Sequence, residues 1–103
     1  MIFIGSYDEI TPNKGYPLMK NSMNDKKYPS QDLIVSYLKR GKMVMAAAGV
    51  SKPDVFTGDA INVENGIQSD DMYAWSTDLP YYVEKYNVKL PDDFEQHIFS
   101  LAK

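Results

Sequence analysis

The side chains able to do chemistry are few and scattered. His97 is the single histidine, there is no cysteine, and the carboxylates Asp54, Asp59, Asp70, Asp71, Asp92, Asp93 and Glu95 crowd the second half of the chain. A general base needs a substrate proton or a nucleophile within reach. Nothing near His97 in sequence supplies one, and beside Phe94 and Leu101 it reads as a histidine at the edge of a helix's apolar face. Paired carboxylates could do acid–base work on a glycoside or hold a hard cation. Their spacing shows no D-x-D-x-D-G loop, however, and turns and helix N-termini account for most of them. Without cysteine there is no thiolate nucleophile, disulfide framework or thiolate-held zinc or iron–sulfur cluster. One histidine leaves the common zinc sites short of ligands, and Gly58 and Gly66 belong to neither GxxxxGK[ST] nor GxGxxG. No catalytic residue, metal or cofactor is expected.

Tyrosine is the unusual component, with eight in the chain beside four phenylalanines and one tryptophan. A tyrosine buries its ring while keeping its hydroxyl wet, which suits core edges and binding surfaces alike. Tyr82 and Tyr86 are placed in the core by their spacing. Tyr81 on the outer side of the same helix, and Tyr16, Lys26 and Tyr28 in an irregular segment, are the candidate binding residues. Lys14, Lys20, Lys26 and Lys27 interleaved with tyrosines could stack on single-stranded nucleic acid. The acidic total and the lack of any nucleic-acid motif speak against that, so no nucleic-acid partner is expected.

The elements that must position these residues follow from periodicity. Leu79, Tyr82, Val83 and Tyr86 fall at i, i+3, i+4 and i+7, a helix over 78–87. Thr77 or Asp78 can cap it, Pro80 is tolerated in its first turn and Asn87 stops it. Pro91 and the acidic Asp92, Asp93 and Glu95 open another helix over 91–101, with Phe94, Ile98 and Leu101 inward. These two helices are expected to form a compact corner. Ser30 begins a third over 31–40, with Leu33, Ile34, Tyr37 and Leu38 on one face and Gly41 as a left-handed end. The run Met43–Val50 reads as a strand covered on both faces, with helical continuation as the alternative because alanines favour helix. Met1–Ile4 and Met72–Trp75 read as strands. Ile61–Glu64 and Ile67–Gln68 read as a hairpin about a type I′ turn at Asn65–Gly66. Tyr7 to Tyr28 is a long loop with one turn near Leu18–Met23, and loops of that length are usually functional or partly structured. Trp75 is expected to be buried with its indole N–H bonded.

The stretch MYAWSTDLPYYVEKYNVKLPDDF resembles the C-terminal signature of a family of small, uncharacterised bacterial proteins, through Tyr73, Trp75, Leu79, Tyr81, Tyr82, Val83, Tyr86, Val88, Leu90, Pro91 and Phe94. With IVSYLKRGKMVMAAAG the resemblance touches about half of the chain. Similar proteins often carry Asp-Gly before the aromatic strand, where this chain has Asp70-Asp71. The resemblance supports the fold and implies no activity, cofactor or catalytic residue.

At 103 residues the chain is expected to be one domain spanning 1–103, able to bury roughly two-thirds of its unfolded surface without staples. The expected class is α+β, a small, mostly antiparallel sheet of three to five strands with about three helices packed on it. The opening MIFIGSYDEI lacks a signal peptide's basic start and apolar length, and no stretch approaches a membrane span. A cytoplasmic protein with no membrane partner is expected. Residues 1–52 carry net +4 and residues 53–103 net −7, for a total of −3, a polarity that could guide a charged partner. A protein-binding, regulatory or immunity-type module leads. The competing reading is a small enzyme or ligand-binding domain with a cleft near Trp75 that uses Asp, Tyr and His97.

Overall fold

The computed structural model describes residues 2–50 and 52–101, so Met1 of the expected first strand lies outside the described residues. The elements run β1 (Ile2–Phe3), α1 (Gln31–Lys39), β2 (Lys42–Val50), β3 (Glu64–Ser69), β4 (Tyr73–Ser76), α2 (Leu79–Tyr86) and α3 (Asp92–Leu101), with a short 3-10 turn at Met19–Ser22. The class is α+β. The sheet has the order β1-β4-β3-β2 and is mixed: β2–β3 and β3–β4 are antiparallel, while β1 joins β4 in parallel.

The register sorts residues onto two faces. Trp75 pairs with Gln68 and Ile2 with Tyr73, and this face meets the helices. Tyr73 meets Phe94 of α3 edge-on at 5.0 Å between ring centres and Trp75 meets it tilted at 5.7 Å, and Tyr37 of α1 lies 6.2 Å from Trp75. Ile34, Val35, Leu38, Leu79, Tyr82, Val83, Val88, Leu90, Phe94 and Ile98 complete one contiguous core with Met19 and Ile61. Leu33 and Leu101, expected inward, are exposed; the buried stripe of α1 runs through Ile34, Val35 and Leu38, and that of α3 through Phe94, Glu95 and Ile98. The C-terminal helices make no compact corner; α2 packs on α1, and α3 lies between α1 and β4 through Phe94.

Several local expectations have physical corrections. Gly41 does end α1, yet its φ is not positive. A Cβ there would lie 2.5 Å from Trp75 Cζ2, so glycine is required for space. Asn65–Gly66 forms no turn and lies inside β3. A Cβ on Gly66 would sit 2.3 Å from the Met45 carbonyl oxygen, so close strand approach accounts for this glycine. The real hairpin turn is Asp70–Asp71. Asp71 takes φ 79°, the conformation that glycine would adopt, and Asp70 Oδ1 accepts the Met72 and Tyr73 amides at 3.0 and 2.7 Å. Asn87 stops α2 in the left-handed region as expected. Neither Ser30 nor Asp78 makes a side-chain cap bond. Finally, β2 is not covered on both faces. It is the sheet edge, and Met43, Val44, Met45, Ala46 and Ala47 are all exposed.

Candidate functional site

The segment from Tyr7 to Tyr28 is a strap clamped across the link between α2 and α3. Glu9 accepts the Met19 and Lys20 amides at 2.6 and 3.0 Å, holding the 3-10 turn so that Met19 plugs the core. Burial would raise the Glu9 carboxyl, but these amides outweigh it and hold it below the ordinary range. Asn24 and Asn87 exchange amide-to-carbonyl bonds at 2.9 and 3.0 Å, the Lys89 amide donates to Ser22 at 2.8 Å, and the Tyr28 hydroxyl donates to the Val88 carbonyl at 2.7 Å. Tyr28 is half-buried, whereas Tyr16 and Lys26 are exposed and Tyr16 lines an open groove beside Phe3 and Pro17. Tyr16→Ala and Lys26→Ala are each expected to shift the urea unfolding free energy by less than ~0.5 kcal/mol. Tyr28→Ala removes ring packing and the Val88 bond, at a cost of about 1–3 kcal/mol. An unshifted Tyr28→Ala curve would show that the strap is held elsewhere.

Tyr81, the fourth candidate, is turned to a structural partner. Its hydroxyl and that of Tyr86 both donate to Asp54 Oδ2 at 2.7 Å, and the Phe56 and Thr57 amides donate to Oδ1 at 2.7 and 3.2 Å. Lys85 stands 3.5 Å away. The spacing of the tyrosines along α2 thus pins the 52–60 connection onto that helix, with Phe56 against Tyr86 at 5.0 Å. Burial alone would raise the Asp54 carboxyl; the two hydroxyls and two amides outweigh it and hold it far below the usual carboxylate range.

Near Trp75 the fold gathers Tyr37, Asp70 and His97, which are 27 to 60 residues apart in sequence. The Tyr37 hydroxyl donates to Asp70 Oδ2, and His97 Nε2 lies 2.7 Å from the same oxygen. Arg40, Lys42 and Asp71 border an open cleft of about 450 Å³ beside them. Here is the acid–base constellation that the chain order concealed. Yet Asp70 already accepts two amides, a phenol and the imidazole. The hydroxyl of Ser69, the one alcohol among the residues bordering the cleft besides Tyr37, is buried, donates to the Tyr73 carbonyl and accepts the Asp71 amide. Among the described residues bordering the cleft both hydroxyls are thus engaged, and the cluster ties α1, the hairpin turn and α3 together. Among the described residues no group of three His, Cys, Asp or Glu is placed to hold a metal.

The feature that packing leaves unexplained is the other face of the sheet. Met45 pairs with Ile67, Ile67 with Ser76, Ser69 with Ala74 and Phe3 with Ala74, so these side chains share the face opposite the helices, where Ala74 and Ser69 are buried and Ile67 and Ser76 half-buried while Phe3 and Met45 at its margins are exposed. An open sheet face is ordinarily polar. Here Phe3 is 58% and Met45 60% exposed, with Val44 at 47% on the adjoining edge and Met72 at 52% at the entry to β4. A groove of about 310 Å³ runs along one end, lined by Phe3, Ile10, Thr11, Met45, Ala47 and Ile67 among others. The alternation that would have revealed it, apolar residues on both sides of Tyr73–Trp75 and throughout Met43–Ala47, reads equally as double burial. Comparison with family models, curated proteins and solved structures returned no match.

Proposed function

We propose that the chain is a protein-binding module, of the regulatory or inhibitory kind, that acts through the exposed apolar side chains Phe3, Val44, Met45 and Met72 around its sheet. One observation carries the reading: the large apolar side chains Phe3, Val44, Met45 and Met72 each leave about half or more of their surface in water around the sheet, while the carboxylates Asp54 and Asp70 are spent on holding loops and helices. Contiguous exposed apolar surface marks an interaction site more often than scattered residues do. The expected contact residues are Phe3, Met45, Ile67 and Met72, with Tyr16 and Lys26 on a separate surface. The cytoplasm is the compartment proposed with this reading; with no cysteine the fold needs no oxidising environment. Among the described residues no helix is long and apolar enough to cross a membrane, and no membrane partner is assigned.

A photo-crosslinking residue at position 3 or 45, installed in the full chain and irradiated in lysate of its source, is expected to give one discrete protein adduct, lost when Met72→Asp is added. The same residue at Gln96, on the exposed side of α3, is expected to give none. Adducts from position 96 alone, or none from the sheet face, would overturn the reading. The Tyr37–Asp70–His97 cleft supports a second reading, a ligand-binding or acid–base site. It predicts that a small ligand shifts the His97 ring resonances, which a purely structural cluster does not.

A further inference from the structure

Between α2 and the start of β2, on the helix side of the sheet, lies a pocket of about 320 Å³, at the lower end of the ~300–1,000 Å³ range of small-molecule sites. Met43 pairs with Gln68 and Gln68 with Trp75, which puts Met43 and Gln68 on this face, and Pro80 and Tyr81 of α2 stand across from them. The Tyr81 hydroxyl is held by Asp54 at 2.7 Å, so its ring is what it offers the pocket. With Val63 these residues give the pocket apolar walls.

Thr77 and Pro80 are the buried members of the lining. Thr77 is 7% exposed, and its hydroxyl has no hydrogen-bond partner. The bond that its place before α2 would allow, to a free amide of the first turn, is not made. Only its backbone amide is used, donating to the Gly66 carbonyl at 3.1 Å. A buried hydroxyl without a partner is costly, and native folds leave few of them. Valine would fill the same space without that cost.

We infer that this pocket binds a small single-ring molecule that carries one hydrogen-bonding group and no negative charge, with the Thr77 hydroxyl as its anchor. The apolar walls take the ring, and a hydroxyl can donate to or accept from the group that reaches it. Charge at the exposed side selects against anions. Lys39 faces Glu84 at 3.5 Å, and Glu64 adds a second acid, so one lysine against two glutamates leaves the lining net negative. A carboxylate or phosphate would meet that charge. The pocket shares no residue with the Tyr37–Asp70–His97 cleft, and none with the exposed apolar group Phe3, Val44, Met45 and Met72, so its failure would leave the protein-binding reading untouched.

Three probes that differ by one group test this on the full chain, each titrated while two-dimensional amide NMR spectra are recorded. Tyramine carries a ring, a hydroxyl and an ammonium; phenethylamine lacks the hydroxyl; hydroxyphenylpropionate has a carboxylate in place of the ammonium. Tyramine is expected to shift the amides of Val63, Gln68, Thr77 and Tyr81, and to bind about three- to tenfold more tightly than phenethylamine, the range for one hydrogen bond. Hydroxyphenylpropionate is expected to bind more weakly than tyramine. Thr77→Val gives up no bond, so it is expected to melt no lower than the wild type and to erase the difference between the two amines, which Thr77→Ser is expected to keep. No shift at these amides with any probe, equal affinity of the wild type for the two amines, or tightest binding of the carboxylate would overturn the assignment. So would a difference that survives in Thr77→Val. A Thr77→Val chain that unfolds would show that the hydroxyl serves the fold, and would overturn it as well.

Discussion

Trp75→Ala is expected to lower the stability of the fold by about 3–5 kcal/mol, the range for emptying a large aromatic site in a core. Trp75 is fully buried where α1, β4 and α3 meet, 6.2 Å from Tyr37 and 5.7 Å from Phe94. Its indole N–H donates to the Leu38 carbonyl at 3.3 Å, and Gln68 donates to the Gly41 carbonyl at 3.0 Å, so the sheet closes the end of α1 from two directions. The Leu38 carbonyl also accepts the Gly41 amide, so most of the loss is packing rather than an orphaned acceptor. A domain of this size holds only ~5–15 kcal/mol in all, and each kcal/mol corresponds to roughly 4–8 °C in melting temperature. Thermal and urea unfolding should therefore show a much weakened or unfolded variant. Trp75→Phe, which keeps a ring on Tyr37 and Phe94 but gives up the N–H bond, should fall between. An unshifted Trp75→Ala transition would mean that these three elements do not depend on a common centre.

How far the chain order discloses this depends on the range of the interaction. Helices were legible because Leu79, Tyr82 and Val83, or Ile34 and Leu38, repeat within one or two turns. Gly41 was legible as an end and Trp75 as a core residue. The cover of a strand was not, because Met43–Ala47 is apolar whether a second layer protects it or a face is kept bare. A strong turn signal at Asn65–Gly66 was overridden by one contact, the Met45 carbonyl oxygen against Gly66. The tyrosines stand out in the sequence by their number alone. Their hydroxyl partners were not readable, since Asp54 lies 27 residues from Tyr81 and 32 from Tyr86. Likewise Tyr37, Asp70 and His97 come from three elements and meet only once the hairpin turn and α3 have docked on α1.

Asp54→Ala is expected to cost about 1.5–3 kcal/mol, because it takes the shared ionised acceptor from four partly buried donors. Asp54 has a fully buried side chain, and its removal leaves the Tyr81 and Tyr86 hydroxyls and the Phe56 and Thr57 amides without their acceptor. Asp54→Asn keeps one oxygen for the amides and should cost less. The wild type carries a pH signature of the same group. Burial opposes ionisation, but the four donors win and depress the folded-state pKa of Asp54 below the ordinary carboxylate value, ~3.9 for an unfolded aspartate. In the interval between the two values the unfolded chain binds more protons than the folded one, so stability rises with pH there. Its contribution is complete above the unfolded value and is lost as pH falls from about 4 toward the depressed folded value. Asp70, whose pKa is lowered as burial is outweighed by Tyr37, the Tyr73 and Met72 amides and His97, acts in the same direction. Urea midpoints measured from neutral pH down to about 2.5 should therefore decline below about 4 in the wild type. In Asp54→Asn the decline should be shallower, with Asp70 and Glu9 providing what remains. An equal acid slope in the two proteins would show that Asp54 is not held ionised by the tyrosines, and that the 52–60 connection stays on α2 by Phe56 packing alone.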